Sequence, residues 1–227
     1  MPSVQLFATC LGDLVLPDAV ADAETLLRRA GFDVVFPRRQ VCCGQPAFNA
    51  GHHAAARRVA RGFVRAFSRD LPIVVPSGSC ATMASHYLPE LVGVEPFEVW
   101  ELSAFLVHAR FRPLPRNTGR RVAYHDSCHM LRELNVSAQP RKLLRASGAE
   151  LVQFVRPDLC CGFGGTFSVR QPEVSAAMAD EKLAGSGGAT IVTSDPGCLM
   201  HLRGRAERVG GPPVVHLASA LVGSAGG

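Results

Sequence analysis

Val41-Cys42-Cys43-Gly44-Gln45 and Leu159-Cys160-Cys161-Gly162-Phe163 carry one motif written twice, 118 residues apart. The other cysteines keep that offset, Cys10 matching Cys128 and Cys80 matching Cys198. In each set 31 residues separate the first cysteine from the pair and 36 separate the pair from the last, and none of the eight is left over. Agreement at this level marks an internal duplication. Ile73-Val74-Val75 returns at the same offset as Ile191-Val192-Thr193, and WELSAFL from Trp100 resembles VHLASAL from Val215 at a slightly different one. Prolines and arginines between Arg110 and Arg121 read as a linker, so the first repeat is expected over 1–117 and the second over 118–227.

Working outward from the cysteines, each half alternates strand-like and helix-like segments. Val4 to Ala8 is a short apolar run before Cys10. Pro17 to Ala30 carries Val20, Ala23, Leu26 and Leu27 at helical spacing and stops at Gly31. Phe32 to Phe36 is strand-like, Asn49 to Phe67 helical, and Leu71 to Val75 strand-like again before the turn into Cys80. The second half repeats this with Val122-Ala123-Tyr124, Leu151 to Val155 and Ala189 to Thr193. Such alternation implies parallel pairing and right-handed crossovers. The expected fold class is therefore α/β: two tandem duplicated units with small parallel sheets and flanking helices, related by a pseudo-twofold axis. Every cysteine then follows the C-terminal end of a strand, and those ends share the sheet edge where ligands bind.

The chain has 227 residues, is 47% hydrophobic and carries a net charge of +5, with Lys142 and Lys182 its only lysines. No apolar run is long enough to cross a bilayer. MPSVQLFATC lacks the charged region and apolar stretch of a signal peptide, so a cytoplasmic protein is expected. The positive charge is spread out and few aromatics interleave it, which argues against a nucleic-acid surface. Eight cysteines in a reducing compartment point to metal or redox chemistry rather than a disulfide framework.

Four thiolates at one edge suit either zinc or an iron–sulfur cluster. The chain has no C-x₂₋₄-C knuckle of the zinc type. Vicinal side chains diverge from the backbone, which is awkward around one ion and natural around several irons. Zinc in a structural or assembly module, and a thiol–disulfide redox protein, remain the alternatives.

CCGQPAFNAGH at Cys42, HDSCH at His125 and CCGFGGTFSV at Cys160 resemble the cysteine-rich CCG-domain family over nearly the whole chain. That family includes the iron–sulfur subunit of glycolate oxidase and the B subunit of heterodisulfide reductase. Within it, the resemblance implies an iron–sulfur electron-transfer subunit of a three-protein system oxidising L-lactate to pyruvate. It also implies two partners, a ferredoxin-like iron–sulfur subunit and a third small protein. The fullest form of the pattern ends in CxxC, where this chain has Met83 and His201. Each set thus has four sulfurs, and [4Fe–4S] clusters, or a cluster with a non-cysteine ligand, are the plainer expectation.

His125, Asp126 and His129 surround Cys128, whereas Phe7, Ala8 and Leu11 hold the matching places around Cys10. Oxidising a hydroxy acid releases protons, so these three are the candidate catalytic residues. Packing and capping roles at a strand end are the competing account. His201 stands where a fifth ligand would be and is a candidate metal ligand. His52 and His53 read as helix-start surface residues. Gly162-Phe163-Gly164-Gly165 lacks dinucleotide-fingerprint spacing and reads as backbone passing close to a cluster. The C-terminal set, flanked by titratable groups, is expected to be the reactive one.

Overall fold

The computed structural model describes residues 1–224 and divides into two units, Met1–Phe111 and Arg112 onward. The first unit runs β1 (Ser3–Leu6), α1 (Cys10–Val15), α2 (Pro17–Arg29), β2 (Asp33–Val35), α3 (Gln45–Asn49), α4 (His53–Ala66), β3 (Ile73–Val75), α5 (Gly78–Thr82), α6 (Leu88–Val92), β4 (Val99–Glu101) and α7 (Leu102–His108). A π-helical turn, Met83–Tyr87, joins α5 to α6. The second runs β5 (Arg121–His125), α8 (Cys128–Arg132), α9 (Ala138–Ala146), β6 (Glu150–Val152), α10 (Thr166–Arg170), α11 (Pro172–Ala184), β7 (Thr190–Thr193), α12 (Pro196–Val209), β8 (Val214–His216) and α13 (Leu217–Val222).

Each unit builds one four-stranded sheet, in the orders β2-β1-β3-β4 and β6-β5-β7-β8. Every pairing is parallel, as the strand–helix alternation predicts. The strand order reverses between β1 and β3, and between β5 and β7. A crevice opens at such a switch point beyond the strands' C-terminal ends. Cys10 and Cys80 follow the two strands flanking the first crevice, and Cys128 and Cys198 those flanking the second.

The helices form for local reasons. α2 starts with Pro17 in its first turn beside Asp18 and ends with Arg28 and Arg29, so both ends complement the helix dipole. It buries Ala19, Ala23, Leu26 and Leu27 against the sheet. α4 buries Ala56, Ala60 and Phe63. Phe63 meets Phe7 edge-on at 5.2 Å and stacks on Phe67 at 4.4 Å, the aromatic centre of the first core. The second core is aliphatic, with Leu143, Leu144, Ile191, Leu199 and Leu202 buried.

Two elements depart from the sequence reading. The helix expected from Asn49 begins at His53, because Gly51 takes φ +79° and ends the short α3 first. A fourth strand closes each sheet within the WELSAFL and VHLASAL repeats. Glu101 and His216 end those strands and cap the helices that follow. Glu101 accepts from the amides of Ser103 (2.8 Å) and Ala104 (3.1 Å), and His216 Nδ1 accepts from Ala218 at 3.1 Å. One cap position is thus met by two different acceptors.

The strand registers show what the duplication holds constant. Gln5 pairs with Ile73 as Ala123 pairs with Ile191, both at the 118 offset. Ser3 pairs with Asp33 but Arg121 with Glu150, a slip of one residue. Ile73 pairs with Val99 and Ile191 with Val214, a slip of three. The cysteine spacing is unchanged across the slipped β2 and β6 strands, so the cysteines are conserved in place more tightly than the strand that leads to them.

Candidate metal centres

Cys10 is the first residue of α1, and its neighbour Thr9 caps that helix from an unusual φ of +66°, its Oγ1 accepting from Gly12 at 3.1 Å. A non-glycine residue in that region costs energy and is held there by its surroundings. Ser77 caps α5 by accepting from the Cys80 amide at 3.3 Å. Its counterpart Asp195 caps α12, accepting from Gly197 (3.1 Å) and Cys198 (3.4 Å). The last cysteine of each set is therefore fixed by an equivalent helix cap.

The vicinal pairs lie in loops after β2 and β6. Gly44 and Gly162 follow them with φ +89° and +91°, turning the chain so that an amide faces back. The Gly44 amide donates to Cys42 Sγ and the Gly162 amide to Cys160 Sγ, each at 3.4 Å. Phe163 donates to Cys161 Sγ at 3.5 Å. The four sulfurs of each set form a string, with the two vicinal sulfurs hydrogen-bonded in its middle. Cys42 Sγ lies 3.5 Å from Cys10 Sγ and Cys43 Sγ 3.3 Å from Cys80 Sγ. Cys161 Sγ lies 3.2 Å from Cys198 Sγ, and Cys160 shares a hydrogen bond with Cys128. All eight are free thiols.

The first cysteine of each pair is the acidic one. Hydrogen bonds from Cys10 and Cys43 pull Cys42 down to about 3, and those from Cys128 and Cys161 pull Cys160 down to about 2. The donors move the other way: Cys10, Cys43, Cys128 and Cys161 are pushed up, chiefly by hydrogen bonding to that neighbour and then by burial. Hydrogen bonding within each set thus favours negative charge on the first cysteine of the pair. Full deprotonation of four adjacent sulfurs needs positive charge among them, which metal binding supplies. The donor chemistry, the amide-to-sulfur bonds and the partly buried strand-end location fit a metal or iron–sulfur group.

His125 closes β5 beside the second set. It is wholly buried, and neither ring nitrogen has a hydrogen-bond partner. One of its nitrogens lies within 4.8 Å of both Cys161 Sγ and Cys198 Sγ. Burial, with a smaller push from Lys182, drops its pKa to about 3, so the ring is neutral. The adjacent Ser127 Oγ is also buried without a partner.

The other titratable candidates are placed differently. Both oxygens of Asp126 accept from Arg141, at 2.7 and 2.6 Å, and Arg141 also donates to the carbonyl and hydroxyl of Ser137. His129 Nδ1 pairs with Glu133 Oε1 at 2.7 Å, one helical turn on and partly exposed. His201 Nε2 lies 3.1 Å from Ser175 Oγ, which donates to the Gly162 carbonyl at 2.7 Å. His201 therefore braces the turn after the cysteine pair. His52 and His53 are exposed.

Lys182 is a residue that sequence reading passed over. It is 1% exposed, and its Nζ donates to the carbonyls of Arg156 (3.1 Å) and Pro157 (3.0 Å) above the Phe154 ring. It thereby pins the segment leading to Cys160. The signal was present: Ser175, Ala179, Lys182 and Leu183 form the buried stripe of α11 at helical spacing.

The Gly162 turn gives a sharp test. A Cβ there would sit 2.5 Å from the Ser175 carbonyl oxygen, against 3.3 Å from Ala56 oxygen at Gly44. Both alanines meet the left-handed penalty of about 1–2 kcal/mol, and only Gly162→Ala adds a backbone clash. Metal analysis should show the second set largely lost in Gly162→Ala and the first set largely kept in Gly44→Ala. Equal metal content in the two variants would refute the account.

Comparison with known proteins follows the same lines. A family model described as a cysteine-rich domain, CCG, matches twice, over residues 4–84 and 122–203. The chain is 39% identical over 234 residues to a protein named lactate utilization protein A from Halalkalibacterium halodurans, covering 96% of each. It is 38% identical over 235 residues to the protein of that name from Shouchella clausii, covering 96% of this chain and 98% of that one. Among solved structures, a hypothetical protein from Helicobacter pylori is similar in fold, with a TM-score of 0.60 at 10% identity. That match covers 98% of this chain and 49% of the other.

Proposed function

We propose, from the premise that this chain belongs to the CCG cysteine-rich domain family, that its two cysteine sets hold iron–sulfur clusters and carry electrons in the oxidation of L-lactate to pyruvate. The observation behind the cluster reading is that each set lines its four sulfurs up in a string, from the first cysteine through the pair to the last. A single tetrahedral zinc would need all four sulfurs about 3.8 Å from one another. Among the described residues, the group of three or more donors lying mutually within 4.8 Å is His125, Cys161 and Cys198. Sulfurs in a string are not the closed tetrahedron that one zinc takes, and the resemblance to the CCG family supports the cluster.

Cys10, Cys42, Cys43 and Cys80 would hold one cluster, and Cys128, Cys160, Cys161 and Cys198 the other, [4Fe–4S] being the form that four thiolates serve. Such a group supplies one-electron transfer. Lactate oxidation to pyruvate releases two electrons and two protons, so two one-electron sites match one turnover. The Gly44, Gly162 and Phe163 amides stabilise thiolate charge through their bonds to sulfur. His129, partly exposed and paired with Glu133 beside Cys128, is the candidate proton acceptor. Asp126 keeps Arg141 in place, and Lys182 fixes the loop that presents Cys160. Names shared by the relatives support the lactate assignment. The corresponding partners are a ferredoxin-like iron–sulfur subunit and a third small protein, in the cytoplasm. No helix of the described residues is long and apolar enough to cross a membrane.

Anaerobic purification tests the reading. Brown protein with broad visible absorption, and about eight irons with matching sulfide per chain, is the expected result for two [4Fe–4S] clusters. Colourless protein holding zinc would overturn it.

A further inference from the structure

We propose that a ring nitrogen of His125 is a direct metal ligand at the second cysteine set, making the two sites chemically unequal. The first site offers sulfur alone, and the second offers sulfur and nitrogen. This rests on the reading that the cysteine sets bind metal, and it adds a ligand from outside the cysteine pattern.

Three observations carry it. The first is an unmet need. His125 has no exposed surface and no partner on either nitrogen. A buried polar group left so costs about 1–3 kcal/mol, and such a residue persists where something absent from the polypeptide satisfies it. The second is position. One nitrogen and the sulfurs of Cys161 and Cys198 all lie within 4.8 Å of one another, a three-donor face at the crevice beyond β5 and β7. The third is the comparison that the duplication provides. Phe7 holds the equivalent place in the first unit, fully buried and packed on Phe63 and Phe67 at 5.2 and 5.3 Å. Packing alone is therefore served by a hydrocarbon ring in the first unit, and the second has a nitrogen heterocycle with no packing need for its polar atoms.

The surrounding charge agrees. Lys182 is buried with its ammonium on two carbonyls, and no carboxylate forms an ion pair with it among the described residues. Its largest electrostatic partner is Asp126, followed by Cys161, Asp158 and Cys128. A buried cation beside a set of thiols fits an occupant of net negative charge.

The test reads the ligand directly. In the Cys43→Ser chain only the second set is loaded, and in Cys161→Ser only the first. Pulsed electron paramagnetic resonance of the reduced proteins should show the strong nitrogen-14 coupling of a bound imidazole in the former and none in the latter. Growth on nitrogen-15 histidine should convert that coupling to nitrogen-15, and His125→Phe should abolish it. The labelling arm needs no variant at His125, so a misfolded His125→Phe leaves the question decidable. No coupling in an iron-loaded Cys43→Ser chain, only the weak coupling of a hydrogen-bonded ring, or coupling that survives His125→Phe, overturns the proposal. Zinc in place of iron is the failure of the cluster reading instead. X-ray absorption on that zinc then decides the ligand: a nitrogen shell lost in His125→Phe supports it, and an all-sulfur shell overturns it.

Discussion

Replacing Cys43 by serine is expected to remove about half of the bound iron, and replacing Cys161 to remove the other half, with the double variant left nearly empty. These two are the most buried members of their pairs, each 2% exposed. Each stands in contact with the last cysteine of its own set, Cys80 at 3.3 Å or Cys198 at 3.2 Å. A serine hydroxyl stays protonated at neutral pH and is a poor ligand for soft metal centres. The sets lie within separately built sheets, so loss at one should spare the other. Iron and sulfide per chain, measured on the two single variants and the double, decide the matter. Iron unchanged in either single variant, or abolished by one alone, would refute two independent sites.

The fold was legible because the cysteines are a ruler. Their constant offset announced the repeat, and their positions after apolar runs announced a parallel sheet with one functional edge. The fourth strands, Val99-Trp100-Glu101 and Val214-Val215-His216, were missed because each runs without a loop into a helix, α7 or α13. Their pairing with β3 and β7 closes each sheet. The helix expected from Asn49 was placed early for a related reason: α3 and α4 share one polar and apolar rhythm, and only the positive φ of Gly51 separates them.

The site was half legible. Sequence spacing identified all eight thiols, and the HDSCH motif drew attention to His125, Asp126 and His129 as a group. Their division of labour was not in the motif. β5 is buried on both faces from Val122 to His125, while the same few residues put Asp126 against an arginine 15 positions on and His129 on a partly exposed helical turn. His201 looked like a fifth ligand by its spacing from Cys198, yet it turns to Ser175 because α11 packs beside α12. Such partners come from tertiary packing, which a single sequence records only as periodicity.

Lys182→Met is expected to cost the metal-free second unit about 2–4 kcal/mol and to lower its metal content further. Methionine matches the length and apolar stem of lysine, so the change removes the ammonium with little loss of volume. What goes with it is specific. The carbonyls of Arg156 and Pro157 lose their donor, and the contact over the Phe154 ring at 4.1 Å is lost. The segment from Arg156 to Leu159 then has less to hold it in front of Cys160. The burial that depresses the lysine's own pKa works in the opposite direction, since removing a desolvated charge is favourable by itself. The sign of the result therefore decides which effect is larger, and the two well-formed bonds to carbonyls point to destabilisation. Val64 occupies the matching position in the first unit, so Val64→Met serves as the control and should shift stability by less than about 1 kcal/mol. Urea unfolding under reductant gives the stability, and iron analysis of the same samples gives the occupancy. A Lys182→Met chain as stable as the parent and fully loaded at the second set would show that the ammonium neither pins the loop nor supports the site.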